Sequence, residues 1–202
     1  MGWKNKKLWV IGGDGAMLDI GFQSLSRMLA SGMDIKVLVL DTQVYSNTGG
    51  QSSTASYMAQ NTKFSVHGKV IQGKTERRKE LAQVCMMHPR TFVAQTSCAM
   101  PNHFYKSIMA ANEYDGPAVV TVYTTCQPEH GVGDNMAMAQ SKLAVDTRTF
   151  PVLIYDPRKA TSRAAALIPK VQTALIPGAG HDVMWSQPER LNAAITAFLS
   201  LQ

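Results

Sequence analysis

The sequence is poor in cysteine, and its three cysteines have no spacing typical of a disulfide framework or a metal site. Cys85, Cys98 and Cys126 lie far apart in 202 residues, and no pair has the Cys-x-x-Cys spacing. A disulfide-rich secreted domain is therefore excluded. Reduced thiols are the simplest interpretation, and they predict a cytoplasmic protein.

Long apolar runs are also missing. No stretch approaches the length of a membrane span, and the first residues lack the apolar segment of a signal peptide. The formal net charge is +6, but the basic residues are dispersed. Their densest cluster, residues 74–79, contains an acidic residue, so we interpret it as a solvated face or an anion-facing loop. We expect neither a membrane nor a nucleic acid as partner.

What is present is the material of an ordinary globular chain. Hydrophobic residues make up 45% and charged residues 17%, which is enough apolar content for a core. Short apolar runs alternate with helix-like segments, and this order predicts an α/β fold with a mainly parallel sheet in three layers. The predicted strands are 8–11, 36–41, 91–95, 118–123 and 151–154, and the predicted helices are 19–31, 76–87, 102–113 and 135–145.

Two polar blocks follow the first two predicted strands. Asp14 lies in a Gly-Gly-Asp-Gly turn, and residues 41–51 read DTQVYSNTGGQ. Because adjacent parallel strands end side by side, both blocks are expected to face one cavity, where oxygen side chains could bind Mg²⁺ and a diphosphate. The turn alone is better explained as structural, but the combination favours a ligand site. The polar segment 49–75 is predicted to be a functional loop.

These blocks resemble the thiamine-diphosphate-binding domain of pyruvate:ferredoxin (or flavodoxin) oxidoreductases, in the 2-oxoacid:acceptor oxidoreductase family. The resemblance covers about residues 8–158 and implies a thiamine-diphosphate-binding fold. Its matching segments are GGDG at 12–15, DIG at 19–21, LDT through QSS at 40–53, YTTCQP at 123–128 and YDPR at 155–158.

The resemblance also assigns a metal site. It implies that Asp14 gives Mg²⁺ a carboxylate, Thr42 a hydroxyl and Val44 a backbone carbonyl. It places Asn47 near the reacting end of the cofactor, as the catalytic residue. Turn capping is the alternative for Thr42 and Asn47, whose side chains serve that role well.

The same resemblance assigns further residues to the cofactor. The resemblance implies that thiamine diphosphate is bound by seven residues, namely Gly13, Asp14, Gly15, Thr42, Val44, Asn47 and Thr48. Among these, it places the two glycines and Thr48 near the diphosphate.

The implied reaction is oxidative decarboxylation of a 2-oxo acid, with pyruvate expected, to an acyl-coenzyme A. Electrons would pass through iron–sulfur clusters to ferredoxin or flavodoxin. Cys126 matches the family's fourth ligand of a [4Fe–4S] cluster, but it could act so only if other domains or subunits supplied the remaining thiolates. A free thiol is the alternative. We expect those other domains or subunits to be needed for turnover, and we expect the protein to form a homo-oligomer.

Other polar side chains follow the strand that precedes Cys126. His130 is a candidate acid–base group near substrate, although loop histidines are common. Glu129 and Asp134 are interpreted as solvated loop residues.

The last part of the chain departs from this family. We expect a thiamine-diphosphate/Mg²⁺ domain at 1–158 and a different tail at 159–202, with a helix at 159–170, a strand at 171–176 and a closing helix at 188–201. Residues about 171–202 resemble the end of an α/β-hydrolase, which implies that His181 is a general base. No Gly-x-Ser-x-Gly motif supplies its serine. An esterase using His181 and a non-catalytic remnant stay as alternative functions. A fusion, a shifted reading frame or the choice of the segment to express would each produce the junction.

Overall fold

The computed structural model describes residues 7–159 and 188–199. The chain forms two compact units, Met1–Asp156 and Pro157–Gln202. In the second unit, the predicted closing helix is observed as α6, Pro188–Leu199. His181, the predicted strand 171–176 and all but the first residue of the predicted helix 159–170 lie outside the described residues. The division into a cofactor domain and a hydrolase-like tail stays a prediction.

A five-stranded sheet organises the first unit. Its strands lie in the order β1-β2-β6-β5-β7, and the first four are parallel to one another. The last strand runs antiparallel to β5. The predicted mainly parallel α/β fold is therefore confirmed. The strands are β1 (Leu8–Gly13), β2 (Ile35–Asp41), β5 (Phe92–Ser97), β6 (Ala118–Tyr123) and β7 (Leu153–Tyr155).

Helices cover both faces of this sheet. Side chains alternate between the faces of a strand, so β2 directs Val37 and Val39 to one face, where they pack with helices α1 and α2. On the other face, Phe92 and Val120 pack with α3. Burying each such side chain contributes about 1.5–3 kcal/mol. The helices are α1 (Phe22–Ala30), α2 (Leu81–Met86), α3 (Pro101–Glu113), α4 (Gln127–His130) and α5 (Ala137–Asp146).

The first predicted helix, 19–31, is divided in the structure. A π-helical turn, Ala16–Ile20, precedes α1. The two segments meet at Gly21, where a Cβ would lie 2.3 Å from the carbonyl oxygen of Ala16. The predicted helix 135–145 likewise begins with a 3₁₀ turn at residues 134–136.

The helix predicted over 76–87 begins only at Leu81. We interpreted residues 74–79 as a solvated face or an anion-facing loop, and this is wrong for three of the basic side chains. Lys74 Nζ donates to two backbone carbonyls, Arg78 pairs with the buried Asp41 at 3.0 Å, and Lys79 Nζ donates to the Leu18 carbonyl. Glu80, which follows these inward-directed side chains, has an extended backbone, and the helix begins after it.

The segment between β2 and α2 contains little regular structure. One short antiparallel pair, β3 (Val66–His67) with β4 (Gln72–Gly73), is its regular part. Polar side chains connect the rest to the sheet, as described below. Among the described residues, no helix has the length and apolar character needed to cross a membrane.

Candidate functional site

The two predicted polar blocks meet at the carboxyl ends of β1 and β2. The strands pair in parallel with Gly13 opposite Leu40, so the residues just beyond them are brought together. The Thr42 hydroxyl lies 3.0 Å from Asp14 Oδ1, and the Thr42 backbone N–H donates to the same oxygen at 3.1 Å. The carboxylate and the hydroxyl are therefore close enough to share one ion.

Several oxygen atoms surround the Thr42 hydroxyl. Its Oγ1 lies 3.0 Å from Asp14 Oδ1, 3.1 Å from the Val44 carbonyl oxygen and 2.8 Å from Ser46 Oγ. A hydroxyl has one proton and can satisfy one of these acceptors at a time. A carboxylate, a carbonyl and hydroxyls are the oxygen donors that a hard cation such as Mg²⁺ prefers. The donor set at Thr42 therefore fits the expected metal.

The environment of Asp14 also favours a cation. The whole residue is only 1% exposed. Burial and, to a smaller extent, the negative charge of Asp41 raise the pKa of this carboxyl group, hydrogen bonds from Ser53 and Thr42 lower it, and the net result is a pKa of about 6. Within the described residues, no group of three His, Cys, Asp or Glu side chains could hold a metal. A cation here would depend on Asp14 with hydroxyl and carbonyl oxygens.

A cleft of about 360 Å³ opens beside this oxygen cluster. Its volume lies within the usual range for small-molecule sites. All seven residues predicted to bind the cofactor line it, and so do Ala16, Leu40, Tyr45 and Ser46. The structure thus brings the predicted residues together at one cavity, while their individual roles stay predictions.

The two positions that flank Asp14 are occupied by glycine for different structural reasons. A Cβ on Gly15 would lie 2.3 Å from Cε1 of Tyr45, so this position must be glycine for the tyrosine ring to fit. A Cβ on Gly13 would meet only the Leu40 carbonyl oxygen, at an ordinary 3.9 Å. Protein packing therefore requires the second glycine, whereas space for a ligand is the better reason for the first.

Asn47 and Thr48 lie exposed at the mouth of the cleft. Thr48 Oγ1 donates to Gln51 Oε1 at 2.6 Å, and Gln51 Nε2 donates back to the Thr48 carbonyl at 2.9 Å. Reciprocal bonds of this kind close the loop. Thr48 thus has a structural role, in addition to its position on the cleft.

Asp19 holds the cleft loop in place, a role that the sequence did not reveal. Its carboxylate accepts hydrogen bonds of 2.5 Å from both the Tyr45 hydroxyl and the Thr54 hydroxyl. The Thr54 backbone N–H adds a third at 3.3 Å. Asp19 stood in one of the matching segments, but only the structure shows that it ties both ends of the loop to the turn after β1.

The residues after β6 lie close to this loop. Cys126 is half-buried at the start of α4. The interpretation of Glu129 as a solvated residue is wrong, because its side chain is 20% exposed, pairs with Lys63 at 3.6 Å and lies against Gly50. Asp134 is exposed, as expected.

His130 lies beside the segment that contains Thr42. Burial lowers the pKa of its imidazole, and an interaction with the backbone of Thr42 opposes that shift. Its Nε2 is buried and has no hydrogen-bond partner within the described residues. The ring lines a second cleft of about 360 Å³, with Gln43 and Tyr123, on the other side of that segment. Its acid–base role stays a prediction.

Comparison with known proteins places these features in a wider group. The family model "Thiamine pyrophosphate enzyme, C-terminal TPP binding domain" matches residues 1–122. The mitochondrial pyruvate dehydrogenase (NADP⁺) of Euglena gracilis is 40% identical over 159 residues, which are 78% of this chain and 8% of that protein. The pyruvate-flavodoxin oxidoreductase of Rhodospirillum rubrum is 37% identical over 155 residues, 76% of this chain and 12% of that protein.

A solved structure shares the fold. The 2-oxoglutarate:ferredoxin oxidoreductase from Magnetococcus marinus, with 2-oxoglutarate, coenzyme A and succinyl-CoA bound, matches with a TM-score of 0.52 and 24% identity. The match covers 60% of this chain and 40% of that one. At this identity the likeness concerns the fold alone.

Proposed function

Because this chain belongs to the family of C-terminal TPP-binding domains of thiamine pyrophosphate enzymes, we propose that it binds thiamine diphosphate with Mg²⁺ as part of a 2-oxo acid oxidoreductase. The predicted family resemblance is confirmed by the domain match and by the pyruvate-flavodoxin oxidoreductase relative. The observation that carries the proposal is the pairing of the Asp14 carboxylate with the Thr42 hydroxyl at 3.0 Å, beside the cleft.

Three residues would hold the metal in this proposal. Asp14 supplies negative charge, Thr42 a hydroxyl oxygen and Val44 a backbone carbonyl, and the phosphate oxygens complete the shell. The buried carboxylate favours a cation strongly, because little water is present to stabilise its charge.

Other residues of the cleft would contact the remaining parts of the cofactor. The open side of Gly13 admits the diphosphate, and Gly15 and Thr48 lie beside it on the cleft. Asn47, at the mouth, would contact the reacting end. When bound, thiamine diphosphate supplies the electron sink for breaking the bond between the 2-oxo carbon and its carboxylate.

The complete reaction would require more protein than this chain. It covers 8% and 12% of the two relatives named above, so most of each relative lies outside the shared region. Both relatives have pyruvate in their names, which supports a pyruvate substrate. One name contains NADP⁺ and the other contains flavodoxin. Because the electron acceptors in the names differ while this region is shared, the names support the proposal that other domains determine the acceptor.

Several partners follow from the proposed reaction. Coenzyme A would accept the acyl group, and ferredoxin or flavodoxin would accept the electrons in a cytoplasmic homo-oligomer. Cys126 would bind a [4Fe–4S] cluster only with thiolates supplied by other domains or subunits.

Calorimetric titration of the full chain tests the proposal. We expect thiamine diphosphate to bind in the presence of Mg²⁺ and to bind at least about tenfold more weakly to Asp14→Ala, because the variant lacks the metal carboxylate. Asp146→Ala is the matched control, since that carboxylate lies exposed on α5 and pairs with Lys142. Equal binding by the parent and Asp14→Ala would remove the basis of the assignment.

A further inference from the structure

We propose that Ser53 positions the Asp14 carboxylate for its metal ion, an inference that rests on the proposed function. Ser53 Oγ donates a hydrogen bond of 2.7 Å to Asp14 Oδ2. Both residues are buried, with Ser53 4% and Asp14 1% exposed, so water does not compete readily for this bond. Ser53 acts through Asp14 and is therefore a positioning residue.

The direction of the Ser53 hydroxyl is fixed by a second hydrogen bond. The Ala55 backbone N–H donates to Ser53 Oγ at 3.1 Å. This bond occupies a lone pair of the oxygen, so the single hydroxyl proton is left for the carboxylate. The Ser53 hydroxyl can therefore donate to Asp14 Oδ2 and at the same time accept the hydrogen bond from the Ala55 N–H.

The Ser53 backbone is itself anchored from two sides. The ammonium group of Lys74, which is 9% exposed, donates to the carbonyls of Ser53 and Ser56 at 2.9 and 3.0 Å. The Ser53 N–H donates to Ser56 Oγ at 2.9 Å, and that hydroxyl donates to the Gln43 carbonyl. The turn is thus fastened to the segment that contains Thr42 and Val44.

These contacts leave the carboxylate with a defined orientation. Asp14 Oδ1 accepts two hydrogen bonds from Thr42, and Oδ2 accepts one from Ser53. A carboxylate has about four lone-pair sites, so one site on Oδ2 remains for a ligand. Without Ser53, the carboxylate is held through Oδ1 alone among the contacts of the described residues, so it has more freedom to rotate about its terminal torsion.

Two metal ions distinguish positioning from general support. Mg²⁺ requires near-ideal octahedral geometry, whereas Ca²⁺ accepts flexible coordination by more oxygens. A carboxylate that rotates should therefore weaken a Mg²⁺ site more than a Ca²⁺ site. A loop that is merely loosened should weaken both to the same extent.

The experiment measures thiamine diphosphate affinity of the full chain with Mg²⁺ and with Ca²⁺, by calorimetry. For Ser53→Ala we expect the affinity with Mg²⁺ to fall about 10–100-fold, the usual effect of removing a partner of a metal ligand. We expect the affinity with Ca²⁺ to fall at least about threefold less. The matched control is Ser52→Ala, because the Ser52 hydroxyl bonds to Thr62 and not to the site. It should leave both affinities unchanged.

A second pair of variants covers the case in which Ser53→Ala does not fold. Ser53→Thr and Ser53→Val have nearly the same shape and differ by the hydroxyl, so threonine should retain the preference for Mg²⁺ and valine should lose it. Equal losses with both ions, or no loss, would overturn the positioning role while leaving the cofactor site in place. If the parent bound no thiamine diphosphate with either ion, the proposed function would fail and this inference with it.

Discussion

Asp14 is a carboxylate that the protein buries at an energetic cost. Burial holds its pKa at about 6, against an ordinary value of 3.8. The Asp14 carboxyl group therefore binds its proton more tightly in the folded protein than it does in the unfolded chain. As the pH rises from about 4 to about 6, the carboxyl group must ionise in the folded state, and stability falls by about 3 kcal/mol in total.

The raised pKa of Asp14 predicts a gain of stability when its carboxyl group is replaced by a neutral amide. With EDTA present, Asp14→Asn should be more stable than the parent by up to about 3 kcal/mol at pH 7.5, and the difference should shrink towards zero at about pH 4. Urea denaturation at several pH values measures this difference. A difference that did not vary with pH would contradict the assigned ionisation.

The two glycines beside Asp14 should respond differently to alanine. Gly15→Ala displaces the Tyr45 ring, whose Cε1 would lie 2.3 Å from the new Cβ, so we expect a loss of about 1–3 kcal/mol in stability. Gly13→Ala meets no close contact and should keep its stability, but its Cβ enters the cleft and should weaken thiamine diphosphate binding. Thermal unfolding measures the effect on stability, and calorimetry measures the effect on binding. A stable Gly15→Ala variant together with a destabilised Gly13→Ala variant would contradict both expectations.

Asp14 and Thr42 could be predicted as neighbours because each follows an apolar strand, and parallel strands end together. Ser46, Ser53 and Asp19 could not be assigned roles in this way. A serine in a polar loop has no periodic signal, and its hydroxyl can face water or protein equally well. Their contacts depend on how the loop folds back over the sheet, which local sequence does not encode.

The segment between β2 and α2 owes its shape to side chains more than to regular backbone pairing. Asp19 binds it near Tyr45 and Thr54, while Lys74 holds the turn at Ser53. Arg78 pairs with Asp41 and stacks over aromatic rings. These buried polar bonds take the place of the helix and strand hydrogen bonds that the segment lacks.

Removing Asp19 should therefore loosen this segment and spare the sheet. In Asp19→Ala we expect hydrogen exchange at the Tyr45 and Gly50 amides to accelerate about tenfold or more, since hydrogen bonds to a charged group contribute about 1.5–3 kcal/mol each. The amides of β6 should exchange as in the parent. Glu76→Ala, an exposed acid in the same segment, is the control. Unchanged exchange at Tyr45 and Gly50 would contradict this role.

The strands β1, β2, β5 and β6 were predictable because each contains a short apolar run, and β6, which is buried along its whole length, has the unbroken run that burial on both faces selects. The antiparallel direction of β7 was not predictable, since a short apolar run carries no sign of direction. The late start of α2 was also missed. Basic residues before a helical pattern usually extend the helix, but here Arg78 and Lys79 point inward and use their hydrogen bonds elsewhere.

The division of the chain near residue 157 suggests that the cofactor site depends on the first unit alone. Every residue assigned to the cofactor lies in that unit. We predict that residues 1–158, prepared separately, fold and bind thiamine diphosphate with Mg²⁺ within about threefold of the full-chain affinity. Calorimetry and circular dichroism measure this. Failure of the shorter chain to fold would contradict the domain assignment of 1–158.

The outer edge of the sheet also has a practical consequence. In the described sheet β1 is paired on one side only, and its Leu8 and Ile11 are 51% and 64% exposed. Open strand edges invite strand-to-strand association, and charged side chains discourage it. Preparations of this polypeptide are thus best kept dilute, and a lysine in place of Ile11 offers a route to crystals or spectra free of aggregates.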